Sequence, residues 1–293
     1  MDDLDFSAKP KQPATPGPAK SAAPPIYNPA TALEFFRCGG KPETIAAGTT
    51  FFEENEKAGF LRRDKMYLVV EGEVALAAGG RPLGLVKVGE IFGEMAAISD
   101  APRSATAIAK TECRVIALDD KQFKSALAQK PEFALMLLGM MIMRLRILIG
   151  RAARVNALAG EPDPAESRVF DKGLLAALAR GLGEAGTARF QRGQPIFRQG
   201  QTGLLMFVVQ EGRVALSIGQ QVVQRVGAGG VFGEMALVDQ SPRAASATAD
   251  DECVLLGFNR AIFVNLVKSN PEFGASLLAA MAERVRYMAS KLK

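Results

Sequence analysis

The amino-acid sequence predicts a mainly β protein with flanking helices, built as two tandem jelly-roll β-rolls that are each followed by a long C-terminal helix. Three observations lead to this prediction. A long segment recurs at a fixed offset, short apolar runs are separated by glycine in both copies, and each copy closes with apolar residues at helical spacing.

The repeat is clearest in residues 92–107, which recur as residues 232–247, 140 positions later and without a gap. Residues 71–76 and 131–133 recur at the same offset, so the register extends through the whole unit. Repetition at one fixed offset indicates a duplicated structural unit. Because the chain has 293 residues, each half is long enough to bury a core of its own.

Strands are predicted from short apolar runs that end at glycines. In the first copy these runs occupy residues 44–52, 65–70, 74–77, 83–88, 105–109 and 114–118, and in the second copy residues 188–197, 205–210 and 214–218. Strands of this length, divided by glycine at this cadence, are typical of a roll or barrel. The spacing from Gly48 to Val69 exceeds that from Gly193 to Val209, which places five additional residues in the first copy, near residues 56–63.

Helices are predicted before and after each set of strands, at residues 29–36, after the N-cap pair Asp119 and Asp120, and at residues 133–154, 170–182 and 273–293. The two longest carry apolar seams, Leu138, Ile142, Leu145 and Ile149 in the first copy and Leu278, Met281, Val285, Met288 and Leu292 in the second. Such seams predict helix packing surfaces.

The predicted domain boundaries follow the changes in composition. Residues 1–28 form a Pro- and Ala-rich tail that lacks the apolar content to fold, so we expect it to be disordered. The first domain covers residues 29–156, and the second covers residues 166–293. Residues 157–165, with Gly160, Pro162 and Pro164, form the linker.

The composition argues against an enzyme. The chain contains no histidine, which removes histidine-dependent nucleophilic catalysis, histidine-ligated metals and the usual general base near neutral pH. No catalytic residue, metal ligand or cofactor is assigned. The three cysteines, Cys38, Cys113 and Cys253, are too few and too far apart for a disulfide framework, and we expect buried thiols in a reducing cytoplasm.

Neither nucleic acid nor a membrane is an expected partner. The net charge is +5, but lysines and arginines are scattered along the chain rather than clustered. Residues 133–150 are apolar enough for a membrane span, yet Arg144 and Arg146 would lie in the hydrocarbon. We therefore interpret this segment as a buried helix.

The repeated motif has the residue types of a small-anion site. Each copy combines a Gly-Glu pair, a short apolar segment and a Pro-Arg followed by small residues. An arginine fork forms bidentate, charge-assisted bonds to phosphate, and small residues allow backbone N–H groups to approach a ligand. We expect Phe92 and Phe232, which precede the two motifs, to be core residues.

On these motifs the sequence resembles the cyclic nucleotide-binding domain superfamily, over residues 31–150 and 166–293. The resemblance implies β-rolls of the cyclic nucleotide-binding type. It also implies that Glu94 and Glu234 accept a hydrogen bond from the ribose 2′-hydroxyl, and that Arg103 and Arg243 bind the cyclic phosphate. The implied ligand-binding residues are Gly93, Glu94, Met95, Arg103, Ser104 and Ala105 in the first half and Gly233, Glu234, Met235, Arg243, Ala244 and Ala245 in the second.

The expected ligand is cAMP at both sites, with cGMP as an alternative at the first site. A hydroxyl residue directly after the arginine favours guanine in kinase-type members, and Ser104 has that position in the first half whereas Ala244 has it in the second. Bacterial catabolite activators also carry serine there and bind cAMP.

The resemblance implies a lid helix over each base, here residues 133–154 and 273–293, although the second domain could instead cover the first base. The same seams also fit a homodimer interface, and the sequence does not separate these two roles. The leading hypothesis is a cytoplasmic cyclic nucleotide sensor with two sites and no effector domain, which acts on an unidentified effector protein in trans. The alternative is a ligand-free scaffold of degenerate rolls in which glutamate and arginine form an internal ion pair.

Overall fold

The computed structural model describes residues 27–57, 64–99, 101–154, 169–238 and 242–292. The side chains of residues 152–154 and 236 lie outside this description. The predicted linker and nearly all of the predicted tail also lie outside the described residues, so these boundaries stay predictions. Tyr27 and Asn28, at the end of the predicted tail, belong to the fold, because the Tyr27 hydroxyl donates to Gly89 O at 2.6 Å and Asn28 caps the first helix.

The described part of the first half contains eight strands, with one helix before them, a short helix between the sixth and the seventh strand, and two helices after them. Its elements are α1 (Pro29–Arg37), β1 (Lys41–Ile45), β2 (Thr50–Phe52), β3 (Lys65–Glu71), β4 (Val74–Ala78), β5 (Arg81–Val86), β6 (Ile91–Phe92), α2 (Glu94–Ser99), β7 (Thr106–Ala109), β8 (Cys113–Asp119), α3 (Asp120–Gln129) and α4 (Glu132–Arg154). Asp119 and Gln122 form a capping box at the start of α3, which confirms the predicted N-cap.

The second half repeats this order. Its elements are α5 (Lys172–Leu182), β9 (Thr187–Phe190), β10 (Pro195–Phe197), β11 (Met206–Glu211), β12 (Val214–Ile218), β13 (Gln221–Val226), β14 (Val231–Phe232), β15 (Ser246–Ala249), β16 (Cys253–Phe258), α6 (Arg260–Ser269) and α7 (Pro271–Ser290), with 3-10 turns at Glu184–Gly186 and Glu234–Leu237.

Each half folds its strands into two four-stranded antiparallel sheets. The orders are β1-β8-β3-β6 and β2-β7-β4-β5 in the first half, and β9-β16-β11-β14 and β10-β15-β12-β13 in the second. Eight strands in two facing sheets form a jelly roll, so the predicted fold class is confirmed. The described part of the chain is therefore two rolls of the same topology, each flanked by helices.

Three predicted strands were wrong in extent. The runs 44–52 and 188–197 are each interrupted by a turn at Gly48 or Gly193, where the backbone has a positive φ. The Gly48 amide donates to Ala109 O at 2.8 Å and the Gly193 amide donates to Ala249 O at 2.7 Å, so each turn is fixed to the neighbouring strand. The predicted strand 83–88 also starts earlier and ends at Val86, because residues 87–90 form a turn.

A β-bulge is repeated in the two rolls, between Val69 and Glu71 where β3 pairs with β8 and at the corresponding position where β11 pairs with β16. Gly72 follows the first bulge with φ +89°, and Gly212 follows the second with φ +78°. A Cβ atom at Gly72 would overlap the carbonyl oxygen of Glu112, and one at Gly212 would overlap that of Glu252. Glycine is therefore required here both by backbone conformation and by space.

The buried apolar residues form three clusters. One cluster fills the first roll around Tyr67 and Phe92, and a second fills the other roll around Phe207 and Phe232. The third joins the halves, because it contains buried residues of both α4 and α7. The prediction that Phe92 and Phe232 are core residues is confirmed.

Helices α4 and α7 pack against each other within one chain. The seam residues Leu138, Ile142, Leu145, Leu278, Met281, Val285 and Met288 are buried, and Ile149 is partly buried. The two seams that could have formed a homodimer interface therefore face each other in cis. The buried seam residues of each helix are thus covered by other residues of the same chain.

By length and composition, α4 could cross a membrane over Glu132–Arg151, and more than half of that span is buried inside the protein. Its burial agrees with the interpretation of a core helix. Among the cysteines, Cys113 and Cys253 are buried as expected, whereas Cys38 is only partly buried, because it follows the exposed end of α1.

Replacement of Gly72 by alanine should lower the free energy of unfolding by more than about 2 kcal/mol, because the new Cβ meets the carbonyl of Glu112 in addition to the strain of a positive φ. Gly48→Ala is the matched control. Gly48 has a similar φ of +81° with open space where an added Cβ would lie. Gly48→Ala should therefore lower the free energy of unfolding by about 1 kcal/mol only, the cost of the backbone strain alone. Urea unfolding measures both, and equal costs would contradict the steric argument.

Candidate functional site

The repeated motif lies between two strands of each roll. In the first half it leaves β6 at Phe92, forms α2, and enters β7 through residues 101–105. In the second half it leaves β14, forms the 3-10 turn Glu234–Leu237, and enters β15. Both motifs therefore place Gly-Glu at the start of a helical turn and the arginine before a strand.

Arg103 is a buried cation, with 5% of its surface exposed. Its guanidinium lies 4.0 Å above the ring of Phe52. Nη1 donates to Gly93 O at 3.0 Å, and Nη2 forms an ion pair with Asp64 Oδ1 at 2.8 Å. The second carboxylate oxygen of Asp64 is buried without a hydrogen-bond partner. These contacts fix the plane of the guanidinium.

Arg243 occupies the equivalent position with different partners. Its guanidinium lies 4.1 Å above the ring of Phe197, and Nη1 donates to Gly233 O at 3.1 Å. Nη2 donates to the carbonyl oxygen of Leu205 at 2.7 Å, and Nε is buried without a partner. Burial lowers the pKa of Arg243, and the nearby charge of Glu234 acts in the opposite direction. The second site therefore holds a desolvated guanidinium, one of whose own N–H donors, at Nε, is unused.

The main chain of each arginine is held by the loop after the second strand of its roll. Arg103 N donates to Glu56 O at 2.8 Å, and Asn55 N donates to Arg103 O at 2.9 Å. In the second half, Arg243 N donates to Gln201 O at 2.8 Å, and Gly200 N donates to Arg243 O at 2.9 Å. The position of each guanidinium thus depends on backbone bonds that the duplication has preserved.

The glycine before each glutamate makes room for the arginine. A Cβ atom on Gly93 would lie 3.0 Å from Arg103 Nη1, and one on Gly233 would lie 2.7 Å from Arg243 Nη1. Both glycines also have a positive φ. A larger residue would push the guanidinium away from its place, which explains why the motif begins with Gly-Glu.

Each glutamate is buried and paired with an arginine from a long helix. Arg144 Nη1 on α4 lies 2.7 Å from Glu94 Oε1, and Arg284 Nη1 on α7 lies 3.3 Å from Glu234 Oε1. Arg284 also donates through Nη2 to Val231 O at 3.1 Å. The alternative of a ligand-free scaffold placed an ion pair between the glutamate and the arginine of one motif. In the structure each glutamate pairs with a helix arginine instead.

The first site opens into a cavity of about 300 Å³. All six residues predicted for this site line it, namely Gly93, Glu94, Met95, Arg103, Ser104 and Ala105. The remaining wall is formed by Phe52, Leu76, Leu83, Ile91, Phe92, Ala96 and Arg144. The cavity thus combines one buried cation, one buried carboxylate and an apolar side, at the lower end of the size range of small-molecule pockets.

The six residues predicted for the second site have similar settings. Glu234 and Arg243 are buried, Gly233, Met235 and Ala245 are partly buried, and Ala244 is exposed, as is Ser104 in the first site. Thr106 and Ser246, just after the small residues, accept bonds from Glu54 N and Gln199 N at 2.9 and 3.0 Å. These two hydroxyls therefore serve the loop that holds the arginine.

Sequence reasoning missed three kinds of residue. Arg144 and Arg284 are 140 residues apart, so the repeat offset was a signal that could have found them. The phenylalanines under the guanidiniums, Phe52 and Phe197, also correspond once the five extra residues are counted. Asp64 has Leu204 as its counterpart, so no repetition marks it.

The described residues contain no group of three or more cysteine, aspartate or glutamate side chains placed to hold a metal ion. The polar groups of the two sites are instead a guanidinium, a carboxylate and backbone amides, which suit a small organic anion with a hydroxyl.

Comparison with known proteins identifies the family. The sequence model of the family described as "Cyclic nucleotide-binding domain" matches residues 42–130 and 187–270, which together make up more than half of the chain. The chain therefore belongs to the cyclic nucleotide-binding domain family, and its two rolls are tandem domains of that type.

Among the relatives, a cAMP-dependent protein kinase regulatory subunit of Hypocrea atroviridis is 31% identical over 183 residues, which cover 61% of this chain and 35% of the relative. A cyclic AMP receptor protein of Thermus thermophilus is 35% identical over 102 residues, 33% of this chain and 47% of the relative. The chain thus spans about a third to a half of the length of these relatives. The solved regulatory subunit of a cAMP-independent protein kinase A from Trypanosoma brucei aligns with 87% of this chain and 95% of its own, at 18% identity and a TM-score of 0.31.

The two arginines should differ in their importance for stability. Arg103→Leu leaves the mostly buried carboxylate of Asp64 without its cation, so its cost should exceed that of Arg243→Leu by about 2 kcal/mol. Removal of both partners, in Asp64→Leu with Arg103→Leu, should recover most of the difference. Chemical denaturation of the three variants measures this, and equal costs for the two single variants would show that Asp64 contributes nothing.

Proposed function

We propose that this protein is a cyclic nucleotide sensor with two sites, that cAMP is its ligand, and that it regulates a separate effector protein. The observation that carries this proposal is that a buried arginine, Arg103, and a buried glutamate, Glu94, line the same cavity. Membership of the cyclic nucleotide-binding domain family supports it.

The cyclic phosphate would bind to Arg103 and Arg243. Its single negative charge meets a guanidinium that is already desolvated, stacked and oriented, so little reorganisation is needed on binding. At the second site the unpartnered Nε of Arg243 offers an additional donor. Backbone amides near Ser104 and Ala105, and near Ala244 and Ala245, would complete the anion site.

The ribose would be held by Glu94 and Glu234. A carboxylate has about four lone-pair sites, so Glu94 can accept from the ribose 2′-hydroxyl while it keeps its bond from Arg144. The purine would lie against the apolar side of the cavity, which includes Leu76, Leu83 and Ile91. An apolar wall of this kind suits a base more than a free sugar phosphate.

The signal would leave each site through its long helix. Arg144 on α4 and Arg284 on α7 each anchor their helix to the glutamate of one site. A ribose hydroxyl that binds this glutamate would therefore change the contact that holds the helix. A ligand that interacts differently with two helix positions shifts the equilibrium between them. In this way occupancy of the sites would alter the surface that the helices present to a partner.

We place the effector on another polypeptide because the fungal relative is itself named as a regulatory subunit of a kinase. In this proposal the protein is not an enzyme, and it acts in the cytoplasm by binding its effector protein. The absence of histidine from the sequence and the lack of a metal-ligand group among the described residues fit a binding role.

A second candidate is a scaffold that has lost its ligand. The observation in its favour is that Glu94 and Arg103 already have ionic partners in Arg144 and Asp64. A thermal shift assay separates the two candidates, because a ligand at 100 times its Kd adds about 2.7 kcal/mol to stability. A scaffold shows no shift with cAMP or cGMP.

Calorimetry on lysine variants tests the site assignment. Arg103→Lys and Arg243→Lys retain the positive charge but lose the guanidinium fork, so each should weaken cAMP binding at its own site by about tenfold or more. The double variant should lose tight binding altogether. Arg114→Lys, at an exposed arginine on β8, is the control for the same chemical change.

Binding that persists unchanged in the double lysine variant would overturn the assignment of both arginines. Loss of binding in the Arg114 control would instead indicate damage to the roll.

Nucleotide preference at the first site should depend on Ser104, whose side chain borders the cavity. If its hydroxyl contacts a guanine, Ser104→Ala weakens cGMP binding by about fivefold and leaves cAMP binding unchanged. The reciprocal Ala244→Ser should improve cGMP binding at the second site only. Competition titrations measure both, and equal effects on the two nucleotides would show that Ser104 does not read the base.

A further inference from the structure

The C-terminal helix of the second half also belongs to the surroundings of the first site. Helix α7 packs against α2, α3 and α4, all of which are elements of the first half. An ion pair between Lys124 on α3 and Glu272 on α7, at 2.8 Å, spans the same interface. In return, α4 contacts the 3-10 turn Glu234–Leu237 of the second site. Each long helix thus contacts elements of both halves.

One contact of α7 reaches the phosphate-binding segment itself. Arg286 Nη1 donates a hydrogen bond of 2.6 Å to the carbonyl oxygen of Pro102, the residue before Arg103. A bond of this length from a charged donor is at the strong end of protein hydrogen bonds. The two residues are 184 positions apart in the chain, so the contact links the far end of the second half to the first site.

The same helix holds the second site through Arg284, two residues earlier. Arg284 binds Glu234 of its own half, and Arg286 binds Pro102 of the other half. A short displacement of α7 therefore changes contacts at both sites, since a helix moves as a rigid element over two residues. Buried apolar residues of α4 and α7 also belong to one cluster, so the two helices are packed together.

We propose that Arg286 is a positioning residue for the first site, supplied by the second half. This inference rests on the proposed function, since it assumes that Arg103 binds the cyclic phosphate. Arg286 fixes the carbonyl of Pro102 and so the direction in which the following residues, Arg103 to Ala105, present their donors.

The test uses two versions of the full chain that each retain one site. Arg243→Leu keeps the first site, and Asp64→Leu with Arg103→Leu keeps the second. Arg286→Ala, Arg286→Lys or Arg180→Ala is added to each version. Arg180 is an exposed arginine on α5 and gives the same change of charge as Arg286→Ala.

In the version with the first site, Arg286→Ala should weaken cAMP binding by about fivefold to tenfold, the effect of one lost charge-assisted bond. Arg286→Lys retains a donor and should restore binding to within about twofold, and Arg180→Ala should have no effect. In the version with the second site, Arg286→Ala should change affinity by less than about twofold. Equal weakening at both sites, or no weakening at the first, overturns the proposal.

A readout without nucleotide separates this inference from the proposed function. Hydrogen exchange of the amides in residues 103–106 should be faster in Arg286→Ala than in the wild type, whereas Arg180→Ala should match the wild type. If the first-site version fails to bind cAMP, the proposed function fails there. Faster exchange would still support the contact across the halves, and unchanged exchange would overturn it.

Discussion

The structure depends on the burial of one guanidinium in each roll. A buried cation is costly unless its donors are satisfied and its charge is balanced, and in each half a stacked phenylalanine and a glycine carbonyl meet part of this requirement. The surroundings of Arg103 and Arg243 follow from it, including a glycine that gives room and a loop that clamps the main chain. The halves differ in charge balance, because Asp64 offsets Arg103 whereas Arg243 lacks this carboxylate.

The second organising feature is the pairing of α4 with α7. Each helix places an arginine on the glutamate of its own site and packs its apolar seam on the other helix. As a result, the two motifs are supported by one packed pair of helices. The two duplicated halves meet through equivalent helices, as two identical subunits do in a symmetric dimer.

Much of the fold and of the two sites could be predicted from the sequence, because a residue that recurs at the equivalent position of both halves is recognisable. The fixed offset identified the rolls, the motif residues and the core phenylalanines. The same offset would have revealed Arg144 and Arg284, whereas Asp64 carries no such mark, because its counterpart is Leu204. Strand ends were less predictable, since Gly48 turns the chain within an apolar run. The seams showed that α4 and α7 pack, but apolar spacing does not identify the partner.

The most direct measurement is a crystal structure of the chain grown with cAMP. The account predicts a nucleotide in each half, with cyclic phosphate oxygens about 3 Å from the guanidinium nitrogens of Arg103 and Arg243 and the ribose hydroxyl at the same distance from Glu94 and Glu234. A cavity that stays empty beside Arg103 at saturating cAMP, or a nucleotide bound away from both arginines, would contradict it.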